Sequence, residues 1–331
     1  MIDARLVLAL SEGGLVLPDT GQITVVKPPV DARLVDLPRE RTCIIDGFKP
    51  AYDTWKTRDY HCETELTSPN AATIVCLPRA KKEARALIAQ AMSLSAGVVI
   101  IDGQKTDGID SILRDMRKRI EVSAPISKAH GKLFWCATPD ASVFADWRDG
   151  PTLTEGGFWT APGVFSADEI DPASALLADA LPAKLGRDVA DLGAGWGFLS
   201  AHILTRPEIE AVHLVEADHM ALECARRNVT DPRAVFHWAD VTTWQAERKV
   251  DTVVMNPPFH TSRAADPTLG QAFVRAAAGM LKPQGQLWMV ANRHLPYEQC
   301  LQDSFANCFE VGGDTRFKLF HAARPKRQVR R

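Results

Sequence analysis

The sequence predicts an α/β protein made of two tandem units of similar size. Three observations carry this. Short apolar runs alternate with stretches of helical periodicity along most of the 331 residues. A segment rich in Gly, Pro, Ser and Thr, residues 149–173, interrupts that alternation near the middle. Composition is that of an ordinary globular protein, with 46% hydrophobic and 24% charged residues, and the length suits about two domains. The expected domains are residues 1–150 and 151–331.

In the first unit, RTCIIDGF (41–48) reads as the opening strand and AATIVCLP (71–78) as the next. KKEARALIAQAMSLS (81–95) places apolar residues at 84, 87, 88, 91 and 94, which is one face of a helix. GVVIIDGQ (97–104) has a buried-strand pattern, GIDSILRDMRKRI (108–120) is helical, and KLFWCAT (132–138) closes the unit as a strand. The second unit repeats the scheme. Its strands are expected at 188–195, 211–218, 234–240, 250–256 and 285–292, with a late strand at 316–323. Its helices are expected at 197–205, 218–228 and 268–281. Strand–helix alternation of this kind predicts mostly parallel sheets covered by helices.

Several classes are excluded. The N-terminus carries Asp3, Arg5 and Glu12 and lacks the pattern of a secretory leader. No apolar run is long enough for a membrane span. The seven cysteines are odd in number and form no C-x-x-C pair, against a disulfide framework or zinc knuckle. No two histidines stand at ligand spacing, so no metal is expected. The expected protein is soluble, reduced and cytoplasmic, and acts as a monomer.

DLGAGWGFLS (191–200) follows an apolar strand and opens a helix. Gly193, Gly195 and Gly197 let the backbone turn sharply and approach a ligand closely. The spacing G-x-G-x-G differs from that of dinucleotide folds. Glu216 ends the next strand, where an acid can accept hydrogen bonds from both ribose hydroxyls of a nucleoside cofactor. Asp240 ends the third strand, within reach of an adenine amino group, and Asp191 is placed to receive a methionine ammonium. A loop without a pyrophosphate cradle, with acids in register, points to S-adenosylmethionine, which leaves S-adenosylhomocysteine as product.

VVMNPPFH (253–260) follows the fourth strand and so faces the same crevice. Asn256 offers a carboxamide oxygen, and Pro257 a carbonyl with no competing N–H. Two acceptors on a stiff backbone suit an NH₂ group with two hydrogens to give. Such an amine, conjugated to a base or carbonyl, is a poor nucleophile until its hydrogens are held out of the plane. Phe259 can stack on a planar substrate. The catalytic candidates are therefore Asn256, Pro257 and Phe259.

These residues resemble the class I S-adenosylmethionine-dependent methyltransferases that act on planar amines. PGVFS (162–166), NPPFH (256–260), ANRHLPY (291–297) and TRFKLF (315–320) narrow the resemblance. Together they are similar to the bacterial ribosomal-RNA guanine-N2 methyltransferases, in particular the family acting on small-subunit RNA. The match is strong over 160–322 and looser over 40–148, where LPRAKKEA (77–84) and SKAHGKL (127–133) contribute. The resemblance implies two tandem Rossmann-like methyltransferase domains, the N-terminal one degenerate. It implies that Asn256, Pro257 and Phe259 hold the guanine, and that Asp191, Gly193, Gly195, Gly197, Glu216 and Asp240 hold the cofactor. It also implies that Asn256 borders the cofactor and that Phe165 lines the pocket entrance. In the first unit, DGFKPAYDTW carries one glycine where the second unit has three, and no Asn-Pro-Pro loop follows the later strands. That unit is expected to bind no cofactor and to orient RNA.

The net charge of −2 announces no nucleic-acid partner by itself. Its distribution does. Residues 78–132 hold eleven basic and six acidic side chains, with the densest run at RDMRKRI (114–120). Residues 315–331 hold seven basic and no acidic ones. Such local charge favours phosphate contacts, and ribosomal RNA or a ribosomal subunit is the expected partner. Two other readings fit the same residues. The loop also suits adenine N6, cytosine N4 or a protein glutamine, and a vestigial pocket would leave a non-catalytic RNA-binding assembly factor.

Overall fold

The computed structural model describes residues 2–137, 139–258 and 267–326. The chain divides into two compact units. One comprises Met1–Pro151 with Ala161–Gly163, the other Thr152–Thr160 with Val164–Arg331.

The first unit opens with helix α1 (Ile2–Ser11) and strand β1 (Ile23–Val26). It continues through β2 (Thr42–Ile45), α2 (Lys49–Lys56), β3 (His61–Glu63), β4 (Ala72–Cys76) and α3 (Lys81–Leu94). It ends with β5 (Val99–Gln104), α4 (Ile109–Arg117), β6 (Ile126–Lys128) and β7 (Gly131–Cys136). These strands form one sheet in the order β3-β2-β1-β4-β5-β7-β6. The first five run parallel, and β7 and β6 are antiparallel to their neighbours. RTCIIDGF is therefore the second strand, not the first. The true first strand, ITVV, is followed by Lys27-Pro28-Pro29 and not by a glycine turn, so no signal of the kind that follows β10 marks it.

The second unit begins with a small hairpin, β8 (Thr152–Leu153) and β9 (Trp159–Thr160), and helix α5 (Pro172–Ala180). Then come β10 (Asp188–Leu192), α6 (Phe198–Ile203), β11 (Ala211–Glu216), α7 (His219–Asn228), β12 (Ala234–Trp238) and β13 (Val250–Met255). Last are α8 (Pro267–Met280), β14 (Leu281–Asn292), α9 (Glu298–Ser304), β15 (Phe305–Gly313) and β16 (Phe317–Pro325). The order β12-β11-β10-β13-β14-β16-β15 repeats that of the first sheet. The central strands read as continuous apolar runs because both faces are covered. In β10, Val189 enters the cluster with α5, α6 and α7, while Ala190 and Leu192 enter the opposite one with α8.

The two sheets match in detail. After β1, the Lys27 amide donates to the Ile45 carbonyl at 2.8 Å; after β10, the Gly193 amide donates to the Val215 carbonyl at 2.8 Å. Asp46 accepts from the Phe48 amide at 2.9 Å, as Glu216 accepts from the Asp218 amide at 2.8 Å. The counterpart of the glycine loop in the first unit is thus Lys27-Pro28-Pro29, and the Lys27 ammonium is paired with Glu83. At the edge of that sheet, Cys43, His61 and Glu63 bring three ligand-type atoms within 4.8 Å of one another. Burial, then the Glu63 charge, pushes the Cys43 thiol up to about 12, so it stands there as a neutral core sulfhydryl.

Helix α1 is fastened by a buried ion pair. The Arg5 guanidinium, fully buried, donates to both oxygens of Asp102 on β5 at 2.6 and 2.8 Å, and to the Lys128 carbonyl at 2.9 Å. Removing one partner leaves the other charge buried alone, which costs about 3–5 kcal/mol. Arg5→Ala is expected to lower the urea midpoint accordingly. A variant lacking both groups, Arg5→Met with Asp102→Leu, should recover much of the loss.

Candidate active site

The glycine loop is shaped by its neighbours. Beyond β10 the chain bends back on β11, where Val215 accepts from Gly193 and from Ala194 at 2.8 and 3.2 Å. Gly193 and Gly195 have φ of +73° and +55°, the left-handed region that favours glycine. Among the described residues, chain neighbours aside, no atom lies within 4 Å of where a Gly195 Cβ would stand, so nothing described there closes the loop on that side. Gly197 does different work. It caps α6, and a Cβ there would stand 2.9 Å from Val229, so it serves packing against α7. The loop is tied down by Asn228, whose carboxamide donates to the Trp196 and Trp159 carbonyls at 2.8 Å each. Trp196 is buried, packs on Phe158 and Phe198, and donates through Nε1 to the Phe165 carbonyl at 3.0 Å. Phe165 itself is 58% exposed at the rim.

The acids are in three different states. Asp191 is fully buried. Its Oδ2 accepts from the Ser200 hydroxyl at 2.7 Å, and its Oδ1 has no partner among the described residues. Burial pushes the carboxyl up to about 7, against the Ser200 hydrogen bond, and the Glu216 charge adds to the rise. Glu216 spends one oxygen on the Asp218 amide and the other on the Gly195 amide, both at 2.8 Å. Burial raises its carboxyl, and those two amides oppose the rise. Asp240 lies past the end of β12, and its Oδ1 accepts from the Thr242 amide and hydroxyl at 2.8 and 2.7 Å.

Asn256 follows β13 and meets two residues that the sequence pattern does not single out. Its Nδ2 donates to Asp171 Oδ2 and to the Ser174 hydroxyl oxygen, each at 2.9 Å. A carboxylate only accepts, so this contact fixes the amide with nitrogen toward Asp171 and leaves Oδ1 as an acceptor. Asp171 is the N-cap of α5, with Pro172 in the first turn, and the same Oδ2 accepts from the Ser174 amide at 2.8 Å. Asn256, Asp171 and Ser174 line one depression with Gly193, Gly195 and Phe165. Glu216 and Asp240 stand at the ends of the neighbouring strands. Pro257 is buried beside Asn256. Phe259 lies outside the described residues. The signal for Asp171 was present as Asp-Pro, a helix start, but nothing in the sequence connects it to a residue 85 positions away.

A model of the methyltransferase small domain matches residues 155–321, half of the chain. The chain belongs to this family. Its relatives include the ribosomal RNA small subunit methyltransferase C of Psychromonas ingrahamii. That protein is 31% identical over 283 residues, which is 80% of this chain and 77% of the relative. The ribosomal RNA large subunit methyltransferase G of Shewanella amazonensis is 29% identical, over 70% of this chain and 63% of its own length. Among solved structures, the T. thermophilus 16S rRNA N2 G1207 methyltransferase in complex with AdoMet and guanosine superposes with a TM-score of 0.77. That match covers 93% of this chain and 90% of that one, at 23% identity, and is a likeness of fold.

The raised Asp191 carboxyl has a consequence for stability. Unfolded, it releases its proton near 3.8; folded, it holds it up to about 7. The unfolded chain binds fewer protons between those values, so this contribution is full below about pH 4 and is lost as pH rises through 7. Asp191→Asn removes the dependence. In urea titrations without ligand, its stability relative to the unsubstituted protein is expected to rise from about pH 5 to about pH 8. A difference that stays constant with pH would contradict the buried, protonated state.

Proposed function

We propose that this methyltransferase transfers a methyl group from S-adenosylmethionine to the exocyclic N2 amine of a guanine in ribosomal RNA, with small-subunit RNA as the substrate. The observation that carries this reading is the Asn256 carboxamide. Both of its hydrogens are spent on α5, and its oxygen is left as an acceptor beside the glycine loop. The names of the curated relatives, and the AdoMet and guanosine held by the solved T. thermophilus enzyme, support the same substrate and cofactor.

The site's own groups fit such a cofactor. Asp191 Oδ1 is a buried acceptor without a partner among the described residues, suited to an ammonium directly or through water. The open flank of Gly195 gives its backbone room for close approach. Glu216 is set to receive ribose hydroxyls in exchange for its present amide partners, and Asp240 the adenine edge. The cofactor supplies an electrophilic methyl group. The protein supplies direction. Asn256 Oδ1 and the Pro257 carbonyl accept the two amine hydrogens and hold them out of conjugation, which turns the nitrogen lone pair toward the methyl. Phe259 stacks on the base.

The first unit is read as a copy that has lost its cofactor site. Lys27-Pro28-Pro29 replaces the glycines, and its ammonium pairs with Glu83. Within the basic run 114–120, Arg119 is committed to Asp146 at 2.5 and 2.7 Å. Arg114, Arg117 and Lys118 line an open groove on α4 with Lys132, which is paired with Asp110. These cations support an RNA-orienting role for the unit.

Asn256→Ala is expected to lower kcat by a factor of about 100–1,000, the usual loss for one preorganised polar contact, with cofactor binding by calorimetry retained. Full activity would sink the loop chemistry. Transfer of labelled methyl groups onto purified small and large subunits and their free RNAs, followed by mapping of the base, tests the substrate. Label on adenine, cytosine or protein glutamine instead of guanine N2 would replace this reading. Asp171→Asn keeps an oxygen for the cap and for Asn256. It should therefore retain much more activity than Asp171→Ala, which also loses about 1 kcal/mol of helix capping.

A further inference from the structure

Two of the segments singled out in the sequence, ANRHLPY and TRFKLF, take no part in the chemistry above. The structure brings them together. Asn292, Arg293 and His294 at the end of β14 and Thr315, Arg316 and Phe317 at the start of β16 line one groove of about 470 Å³. The register places it beside the active site. Met255 pairs with Met289, so Asn256 stands level with Val290, two residues before Asn292, and Asn292 pairs with Phe317. Val254, Val290 and Phe317 pack in the cluster that includes α5. By alternation, Asn256 and Asn292 project to that same face. At about 4.8 Å per strand and 3.3 Å per residue, Phe317 lies roughly 10–12 Å from Asn256. That distance is one or two nucleotides from a base seated there.

The groove is built around one committed guanidinium, Arg293, and two side chains with no hydrogen bond or ion pair among the described residues, Arg316 and His294. Arg293 is committed: it donates to the Asp314 and Phe317 carbonyls at 2.9 and 3.0 Å and to Glu310 at 3.0 Å. Asp314 accepts from the Arg316 and Phe317 amides, both at 2.7 Å, and these hydrogen bonds hold its carboxyl low. The turn is thereby fixed before any ligand arrives. Arg316, exposed, holds its guanidinium 5.0 Å from the centre of the Phe317 ring. Among the described residues, neither the Arg316 nor the His294 side chain has a hydrogen bond or ion pair. Both acids nearby, Glu310 and Asp314, are already engaged. A stacked guanidinium on an aromatic ring, free to offer its edge, suits a phosphate at its rim and a base on its face.

We propose that this groove seats the single strand of RNA flanking the target base. Arg316 bonds a backbone phosphate, the Arg316–Phe317 pair stacks a neighbouring base, and His294 lines the opposite wall. The inference rests on the RNA reading above and adds the subsite by which that substrate is held. It explains how an extruded guanine is kept in register with Asn256 by contacts beyond the loop that holds the base itself.

The test uses full-length protein, with small subunits and their free RNA as probes. Arg316→Glu is expected to raise the KM for RNA about tenfold or more and to leave kcat within about twofold, with S-adenosylhomocysteine binding unchanged. One lost phosphate contact should also lower the slope of log affinity against log salt by about 0.7–0.9. Arg316→Lys should restore most of the salt slope but not the stacking, and His294→Ala should give a smaller rise in KM. Apart from its contact with the Phe317 ring, the Arg316 side chain has no hydrogen bond or ion pair among the described residues, so thermal unfolding should stay close to that of the parent. Wild-type KM and salt slope in Arg316→Glu would overturn the inference. Filter binding of the same RNA reads the groove even where no methyl transfer occurs. Failure of the parent protein to methylate any RNA would instead count against the function proposed above.

Discussion

The hydrogen bonds from the Asn256 carboxamide to Asp171 and Ser174 are the constraint around which the second unit is organised. An amide side chain at a loop has two nearly equivalent orientations. Only one presents oxygen to an amine. A carboxylate beside the nitrogen removes the ambiguity, since the flipped amide would set oxygen against oxygen. Asp171 holds that position because it is also the cap of α5, so the same atom that starts the helix orients the side chain. The cap, the first turn of α5 and the end of β13 therefore act as one piece. Disturbing helix initiation disturbs the acceptor, and the negative charge of Asp171 polarises the amide toward a more basic oxygen.

The glycine loop supplies the opposite requirement. It must leave space and unsatisfied polarity rather than fill them. Burying a carboxyl with one oxygen unpartnered, as Asp191 is buried, is costly unless the group keeps its proton or meets a cation. The raised carboxyl shows the first solution in the protein alone. A bound ammonium offers the second. Glu216 is in a similar position, its charge balanced by amides of the very loop that would have to move toward a ligand. The internal partners of Glu216 and the proton on Asp191 thus limit the energy lost in burying these carboxyls within the protein itself.

Much of this was legible in the sequence, for identifiable reasons. The inner strands β10, β11 and β13 carry apolar residues because both faces are covered, and polar residues such as Asp191, Glu216 and Asn256 stand at or just past their carboxyl ends; the edge strand β12 is only partly buried and is followed by Asp240. The glycines were legible because positive φ demands them, although Gly197 turned out to serve helix packing. What was not legible was long-range or atypical. Helix α5 hid in a segment whose Gly, Pro and Ser read as a boundary, and its Asp171 acquires meaning only through a contact 85 residues away. Strand β1 hid because its loop had lost the glycines that mark β10. The hairpins that end each sheet, β6–β7 and β15–β16, run antiparallel, and alternation of strand and helix carries no information about that reversal.

The repeated strand order makes the two units copies of one plan, and the differences between them follow from what each loop must do. In both, an amide after the central strand bonds the carbonyl that ends the next strand, and in both an acid caps the turn that follows. That backbone frame is shared although the loop sequences differ, because it satisfies buried polar groups whatever the side chains are. The side chains are free to diverge. Two prolines and a lysine paired with Glu83 stand in the first unit where the second has its glycine loop, so the same frame carries a stiff turn in one and an open one in the other. Charge follows the same logic. A net of −2 is compatible with an RNA substrate because attraction need only be local. A cation with no hydrogen bond or ion pair of its own among the described residues, such as Arg316, keeps its donors for whatever enters the groove, while one spent on a carboxylate, such as Arg119, does not.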